Sequence, residues 1–128
     1  MPEAVNFGIS SGWLNDANTE IKSFWNNTVT VGSWVMFDSA TNAAMTAVPA
    51  GKKLTLLYLK ISGTTDGAFY LHAYTGGVYS RTVLKHYNPQ DNNTEIQKLG
   101  IEIAAGDQVY CQILGDMYIS LFGIESTT

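Results

Sequence analysis

Histidines, cysteines and carboxylates, the side chains most used as general bases, thiol nucleophiles and metal ligands, are few in this protein: two histidines, one cysteine and eleven carboxylates in 128 residues. Catalysis needs such groups in contact, as a nucleophile beside a base, a pair of placed carboxylates or a cluster around a metal. The histidines, His72 and His86, flank a Gly76-Gly77 pair set between Tyr74-Thr75 and Val78-Tyr79. A two-residue turn of that composition is a strong hairpin signal, because both positions accept positive φ. The hairpin would set Tyr74 against Tyr79, His72 against Arg81 and Tyr70 against Val83 on one face, leaving Phe69, Leu71 and Ala73 for the core. His86 then has the opposite parity to His72, so the two share neither a metal nor a triad. Cys111 lies in an apolar run between Tyr110 and Gln112, the setting of a buried inert thiol. Carboxylates such as Asp38, Asp66, Asp91 and Asp107 fall one or two to a loop, where turn-formers belong. A carboxylate pair of the glycosidase kind meets only in space and leaves no sequence mark. There is no phosphate-cradling glycine loop, zinc spacing or EF-hand loop. The expectation is a non-enzymatic protein with no catalytic residue, no metal and no cofactor.

Aromatic residues are the stronger signal: three Trp, seven Tyr and five Phe. Trp13, Trp25 and Trp34 read as core and interface anchors, with sugar-stacking platforms as the alternative. Phe7, Trp13, Phe24 and Trp25 are the candidate subunit or shell interface, and Tyr70, His72, Tyr74, Tyr79 and Arg81 the candidate exposed ligand face.

The elements that must position these residues are strands. From residue 27 onward, short runs rich in Val, Ile, Leu, Tyr, Phe and Thr alternate with Gly, Pro, Asn and Asp about every ten residues, an all-β pattern. Strands are expected over residues 28–37, 53–62, 68–75, 78–87, 95–103, 108–114 and 117–124, with a short extra one near 44–48. That number of antiparallel strands fits a two-sheet β-sandwich of the jelly-roll or immunoglobulin-like kind. Residues 1–26 lack alternation and read as an aromatic N-terminal arm, packing on the sandwich or on a neighbouring subunit, with residues 15–25 able to form a helical turn or two. The division is therefore an arm, 1–26, and a sandwich, 27–128. Gly115-Asp116 is a second hairpin candidate, but both of its faces are apolar, as are both parities of the run Leu54 to Ile61. Strands apolar on both sides imply cover, and self-association is the expected cover.

A net charge of −4 with no basic run makes nucleic acid and membrane poor partners. The start of the chain shows no basic segment followed by an apolar one, and no stretch of about 18 apolar residues occurs, so neither export nor a membrane span is expected.

One motif echoes: Val48-Pro49-Ala50-Gly51-Lys52 and Ile103-Ala104-Ala105-Gly106-Asp107 each place a glycine turn before an apolar strand. With the aromatic arm, the acidic charge and the single cysteine, these segments make the chain resemble small jelly-roll structural proteins of tailed bacteriophages. Capsid decoration or cement proteins are the first likeness, and tail-associated receptor-binding heads the second. The resemblance implies a homotrimer made in the host cytoplasm and placed on the virion, at the capsid surface. There it would bind the major capsid protein and stabilise the shell. The alternative implied is a tail receptor- or glycan-binding sandwich.

Overall fold

The computed structural model of the protein describes residues 19–28, 32–63, 67–88, 93–113 and 117–128. They form β1 (Thr19–Thr28), β2 (Gly32–Val35), β3 (Phe37–Asp38), β4 (Ala43–Ala44), β5 (Lys52–Gly63), β6 (Gly67–Thr75), β7 (Val78–Asn88), β8 (Asn93–Ile103), β9 (Asp107–Ile113) and β10 (Met117–Thr127). Two antiparallel sheets result, ordered β4-β3-β1-β10-β5-β8 and β2-β9-β6-β7.

The order follows from one turn near the middle of the chain. Gly76 and Gly77 take φ of 60° and 83°, and Thr75 pairs with Val78 to close the expected two-residue hairpin. Pairings then nest outward from that tip: β6 with β7, β5 with β8, β2 with β9, and β1 with β10. The chain is a long antiparallel ribbon whose successive pairs lie alternately in the two sheets, which is the jelly-roll arrangement.

The two echoed turns are the two arms of a corner in this ribbon. Lys52 N–H donates to Pro49 O (3.1 Å) and Asp107 N–H to Ala104 O (3.1 Å), with Gly51 at φ 79° and Gly106 at φ 89°. Each is a four-residue turn with glycine at its third position, where positive φ is required. The turns also hold each other, since Val48 N–H donates to Asp107 O (2.9 Å) and Gly106 N–H to Val48 O (2.8 Å). Beside them the buried Asp107 carboxylate accepts from Thr75 Oγ1 (2.6 Å) and Arg81 Nη1 (3.3 Å), tying the hairpin stem to the corner.

Between the sheets, Phe24, Met36, Leu54, Leu56, Leu59, Ile61, Phe69, Leu71, Cys111, Met117, Ile119 and Leu121 are buried in one continuous core. Each large aliphatic side chain fully removed from water contributes about 1.5–3 kcal/mol.

Two sequence features that suggested strands covered on both sides have other causes. In β5 the inward parity changes from Leu54 and Leu56 to Leu59 and Ile61, because the register shifts between Leu56 and Tyr58. A β-bulge there, with Leu57 as the extra residue, lets both parities reach the same core. The second feature is the expected hairpin at Gly115-Asp116. That dipeptide lies outside the described residues, but β9 and β10, which flank it, belong to different sheets. Val109 and Cys111 therefore meet Met117, Ile119 and Leu121 across the core rather than lying beside them, and a crossover satisfies two apolar strands that a hairpin would have left half in water.

The N-terminal boundary also moves. Residues 19–26, expected in the arm and in part as a helical turn, are strand β1, paired along its whole length with β10 and briefly with β3. Pairing with β10 overrides the weak local pattern, and the buried Asn26 is satisfied by donating Nδ2–H to Val35 O at 2.9 Å. The expected strand over 28–37 is split, with β2 in one sheet and β3 in the other, and the chain crosses at the fully buried Met36. The short strand near 44–48 is reduced to Ala43–Ala44.

At Gly123, opposite the β5 bulge, an added Cβ would lie 2.5 Å from the Thr55 carbonyl oxygen. Gly123→Ala is expected to cost about 1–3 kcal/mol, the range for overpacking, read as a lower urea midpoint with an unchanged slope.

Candidate functional site

The outer face of the four-stranded sheet gathers the expected tyrosines. Tyr70, His72 and Tyr74 alternate with core-facing Phe69, Leu71 and Ala73 along β6, and Tyr110 and Gln112 project to the same side from β9. Tyr74 and Tyr110 stack in parallel, centroids 3.7 Å apart and planes within 4°. Tyr79 meets Tyr74 at 86° and 6.1 Å and His72 at 83° and 5.1 Å. Lys85 Nζ stands 5.7 Å from the Tyr70 ring centroid, a cation–π contact.

His72 is only 5% exposed, and both ring nitrogens are engaged. Its Nε2 lies 2.9 Å from Gln112 Oε1 and its Nδ1 3.0 Å from Thr82 Oγ1, which is 3.0 Å from the Tyr79 hydroxyl. With the Gln112 oxygen accepting from Nε2–H, Nδ1 accepts from Thr82, and Thr82 Oγ1 accepts from Tyr79. A buried imidazole satisfied at both ends acts as a strut for its neighbours.

Arg81 does not join this face. The register slips between Ala73 and Tyr74 and again between Leu71 and His72, so Tyr74 pairs with Tyr79 as expected, but His72 opposes Thr82, Ala73 opposes Arg81 and Tyr70 opposes Lys85. These two bulges in β7 turn Arg81 away toward Asp107 and the Glu102 carbonyl (3.4 Å), where it links hairpin and corner. Sequence reasoning missed Tyr110, Gln112, Thr82 and Lys85. The alternation of Tyr110 and Gln112 with Val109 and Cys111 marks the first two as sharing a face. The last two depend on the bulges, which carry no residue signal.

The outer face of the six-stranded sheet is the second candidate surface. Ile21, Tyr58, Tyr118 and Phe122 project there, each 43–52% exposed, and Ile96 on β8 is 72% exposed. Trp25 lies on the same side, edge-on to Phe37 at 5.0 Å and stacked with Tyr118 at 6.4 Å. Of the expected interface residues, Trp25 therefore faces outward. Phe24, at 2% exposure, is instead part of the core, because strand parity turns it inward beside Met36 and Leu54. Phe7 and Trp13 lie outside the described residues. Trp34 borders a separate cleft of about 250 Å³ with Asn26, Asn27, Val35 and Phe37.

The carboxylates of Asp38 and the buried Glu125, which line a further cleft of about 110 Å³, are held by cations: Asp38 by Lys22 at 3.5 Å and Glu125 by Lys52 at 3.7 Å. Among the described residues, no three His, Cys, Asp or Glu side chains are grouped to hold a metal. Burial pushes the Cys111 thiol from 9.0 up to about 12, partly offset by backbone hydrogen bonds at Cys111 and Trp34.

No family model and no curated protein matches the sequence. Among solved structures, the chain is similar to one in the acidic stable capsid structure of Helicobacter pylori bacteriophage KHP30, with a TM-score of 0.52 at 8% identity, covering 85% of this chain and 87% of that chain. It is also similar to Eiger TNF from S. frugiperda, with a TM-score of 0.46 at 11% identity over 87% of this chain and 93% of that one. The globular domain of zebrafish complement 1qA protein follows, with a TM-score of 0.45 at 12% identity over 80% and 94%. At these identities the likeness is one of fold.

Because the folded thiol holds its proton up to about pH 12 and the unfolded one releases it near 9.0, its contribution to stability is complete below pH 9 and falls as pH rises toward 12. Urea midpoints of wild type are expected to drop more across that window than those of Cys111→Ala. Iodoacetamide at pH 8 should label Cys111 only in urea.

Proposed function

We propose that the protein is a non-enzymatic virion structural protein, a capsid decoration or cement protein that binds the outer surface of a phage shell and stabilises it. The observation that carries this reading is the group of exposed apolar side chains, Ile21, Tyr58, Ile96, Tyr118 and Phe122, on the outer face of the six-stranded sheet. Its four long strands have 10 to 12 residues each. At about 4.8 Å between strands and about 3.3 Å per residue, the whole face, polar and apolar residues together, is about 600 Å² in projection, the order of the about 800 Å² each partner gives to a stable interface. Within this face the exposed Ile21, Tyr58, Ile96, Tyr118 and Phe122 are interspersed with Lys60, Lys98 and Ser120, the mixture of apolar and polar groups that subunit contacts share with the rest of a protein surface. The occupant of this face is a second copy of the chain, in a homo-oligomer with a trimer as the expected state. The assembled oligomer docks on the major capsid protein. Many modest contacts repeated around a closed shell then clamp it by multivalency, with no single strong bond required.

Three further observations support the reading. A phage capsid chain has the same fold, the carboxylates of Asp38, Asp107 and Glu125 are each paired with a lysine or with Arg81, and the lone buried thiol suits a protein assembled in a reducing cytoplasm. The alternative, a tail-associated receptor- or glycan-binding sandwich, is favoured by the tyrosine cluster on the opposite face.

Light scattering at two concentrations is expected to give a multiple of 14.0 kDa, with a trimer near 42 kDa as three times that mass. Tyr118→Lys with Phe122→Lys, both on the exposed face, should yield a folded monomer that no longer sediments with phage shells while wild type does. A wild-type monomer that ignores shells overturns the reading.

A further inference from the structure

A sheet face turned to water normally carries polar residues, yet Tyr70, His72, Tyr74 and Tyr110 fill the centre of the outer face of the four-stranded sheet, and Tyr79 beside them is 51% exposed. We propose that this face is a saccharide-binding site that takes a pyranose chain across the tyrosines. The proposal goes beyond attachment to a shell and uses no residue of the apolar face on the other sheet.

The chemistry of a pyranose matches what is displayed. A sugar ring offers an apolar C–H side to an aromatic ring and a rim of hydroxyls to amides and hydroxyls. Tyrosine answers both at low conformational cost, since it is large, rigid and amphipathic. From Tyr70 to Tyr74 the strand rises about 13 Å, enough for a short oligosaccharide rather than a single ring. Gln112 and Thr82 bring an amide and a hydroxyl to the same surface.

The rings are also held before any ligand arrives. The chain Tyr79–Thr82–His72–Gln112, with steps of 2.9–3.0 Å, fixes side chains on three neighbouring strands. Parallel stacking of Tyr74 on Tyr110 joins two of those strands again. Ordering such side chains on binding is a large part of what weakens weak sites, and here that cost falls on folding instead. His72, almost fully buried, is a positioning residue: it sets Tyr79 and Gln112 and is not itself a contact.

Charge separates a saccharide from a basic protein partner. In a chain of net charge −4, the described residues on this face include no carboxylate, and the charged group is Lys85. A cationic partner finds nothing to pair with, whereas a neutral or uronate sugar meets no repulsion.

The test is direct titration of the full chain with immobilised oligosaccharides of three classes: neutral hexoses, N-acetylhexosamines and uronates. Saturable binding to at least one class is expected. Tyr79→Ala, a change at a half-exposed ring, should weaken it about tenfold or more, a loss of about 1.4 kcal/mol. Tyr79→Phe, which keeps the ring, should fall between it and wild type, and Phe122→Ser on the opposite face should leave binding unchanged. His72→Ala should weaken binding while the Tyr79 side-chain NMR signals broaden or shift, which a merely stabilising residue would not produce at constant fold. No saturable binding to any class overturns the proposal, as does binding that Tyr79→Ala leaves within twofold. A Tyr79→Ala variant that changes the solution mass overturns it too, because the face would then be a contact between copies.

Discussion

Between Val48 and Asp107, the two arms of the paired ribbon touch at the point where both turn. Two backbone hydrogen bonds join them, and each arm turns on a glycine at positive φ. Without that corner, the pairs β5·β8 and β2·β9 could not lie in opposite sheets, and the ribbon would stay flat with its apolar parity in water. Asp107 contributes twice, through its carbonyl to Val48 and through its carboxylate to Thr75 and Arg81. The stem of the central hairpin is thereby anchored to the bend that folds the ribbon over it.

That geometry also separates the two outer faces. Strands that are neighbours along the ribbon alternate between sheets, so apolar and aromatic residues left over from core parity are sorted to opposite sides of the molecule. Trp25, Tyr118 and Phe122 collect on one side, and Tyr74, Tyr79 and Tyr110 on the other. The first surface sets large apolar and aromatic side chains among Lys60, Lys98 and Ser120, a mixture that suits a contact between protein subunits. The second is a hydrogen-bonded set of phenols, imidazole and amide, which suits a hydroxylated ligand. One sandwich can therefore be held by one face and display the other.

Bulges do the fine positioning. In β5 a bulge lets a run apolar on both parities serve one core, and Gly123 provides the close backbone approach that the bulge requires. In β7 two bulges carry Arg81 off the tyrosine face and bring Thr82 beside His72. Had the register run uninterrupted from Gly76-Gly77, an arginine would stand where the Tyr79–Thr82–His72 chain now runs.

Local residue chemistry by itself determined the strands from β5 to β10, the central hairpin and the two glycine turns. Alternation follows from the two-residue period of a strand, and Gly76, Gly77, Gly51 and Gly106 relieve a steric restriction confined to their own φ. Cys111 as a buried thiol and Tyr70, His72, Tyr74 and Tyr79 as one surface were legible for the same reason, since each depends on parity within one or two strands. Tertiary structure alone decided which strands pair across the molecule. That choice placed β9 and β10 in different sheets, drew Phe24 into the core as part of β1, and brought Tyr110 and Gln112 from β9 to the hairpin face. The physical reason is that an apolar strand gains nearly the same free energy from any apolar neighbour. The partner is fixed only when the whole ribbon closes over a single core.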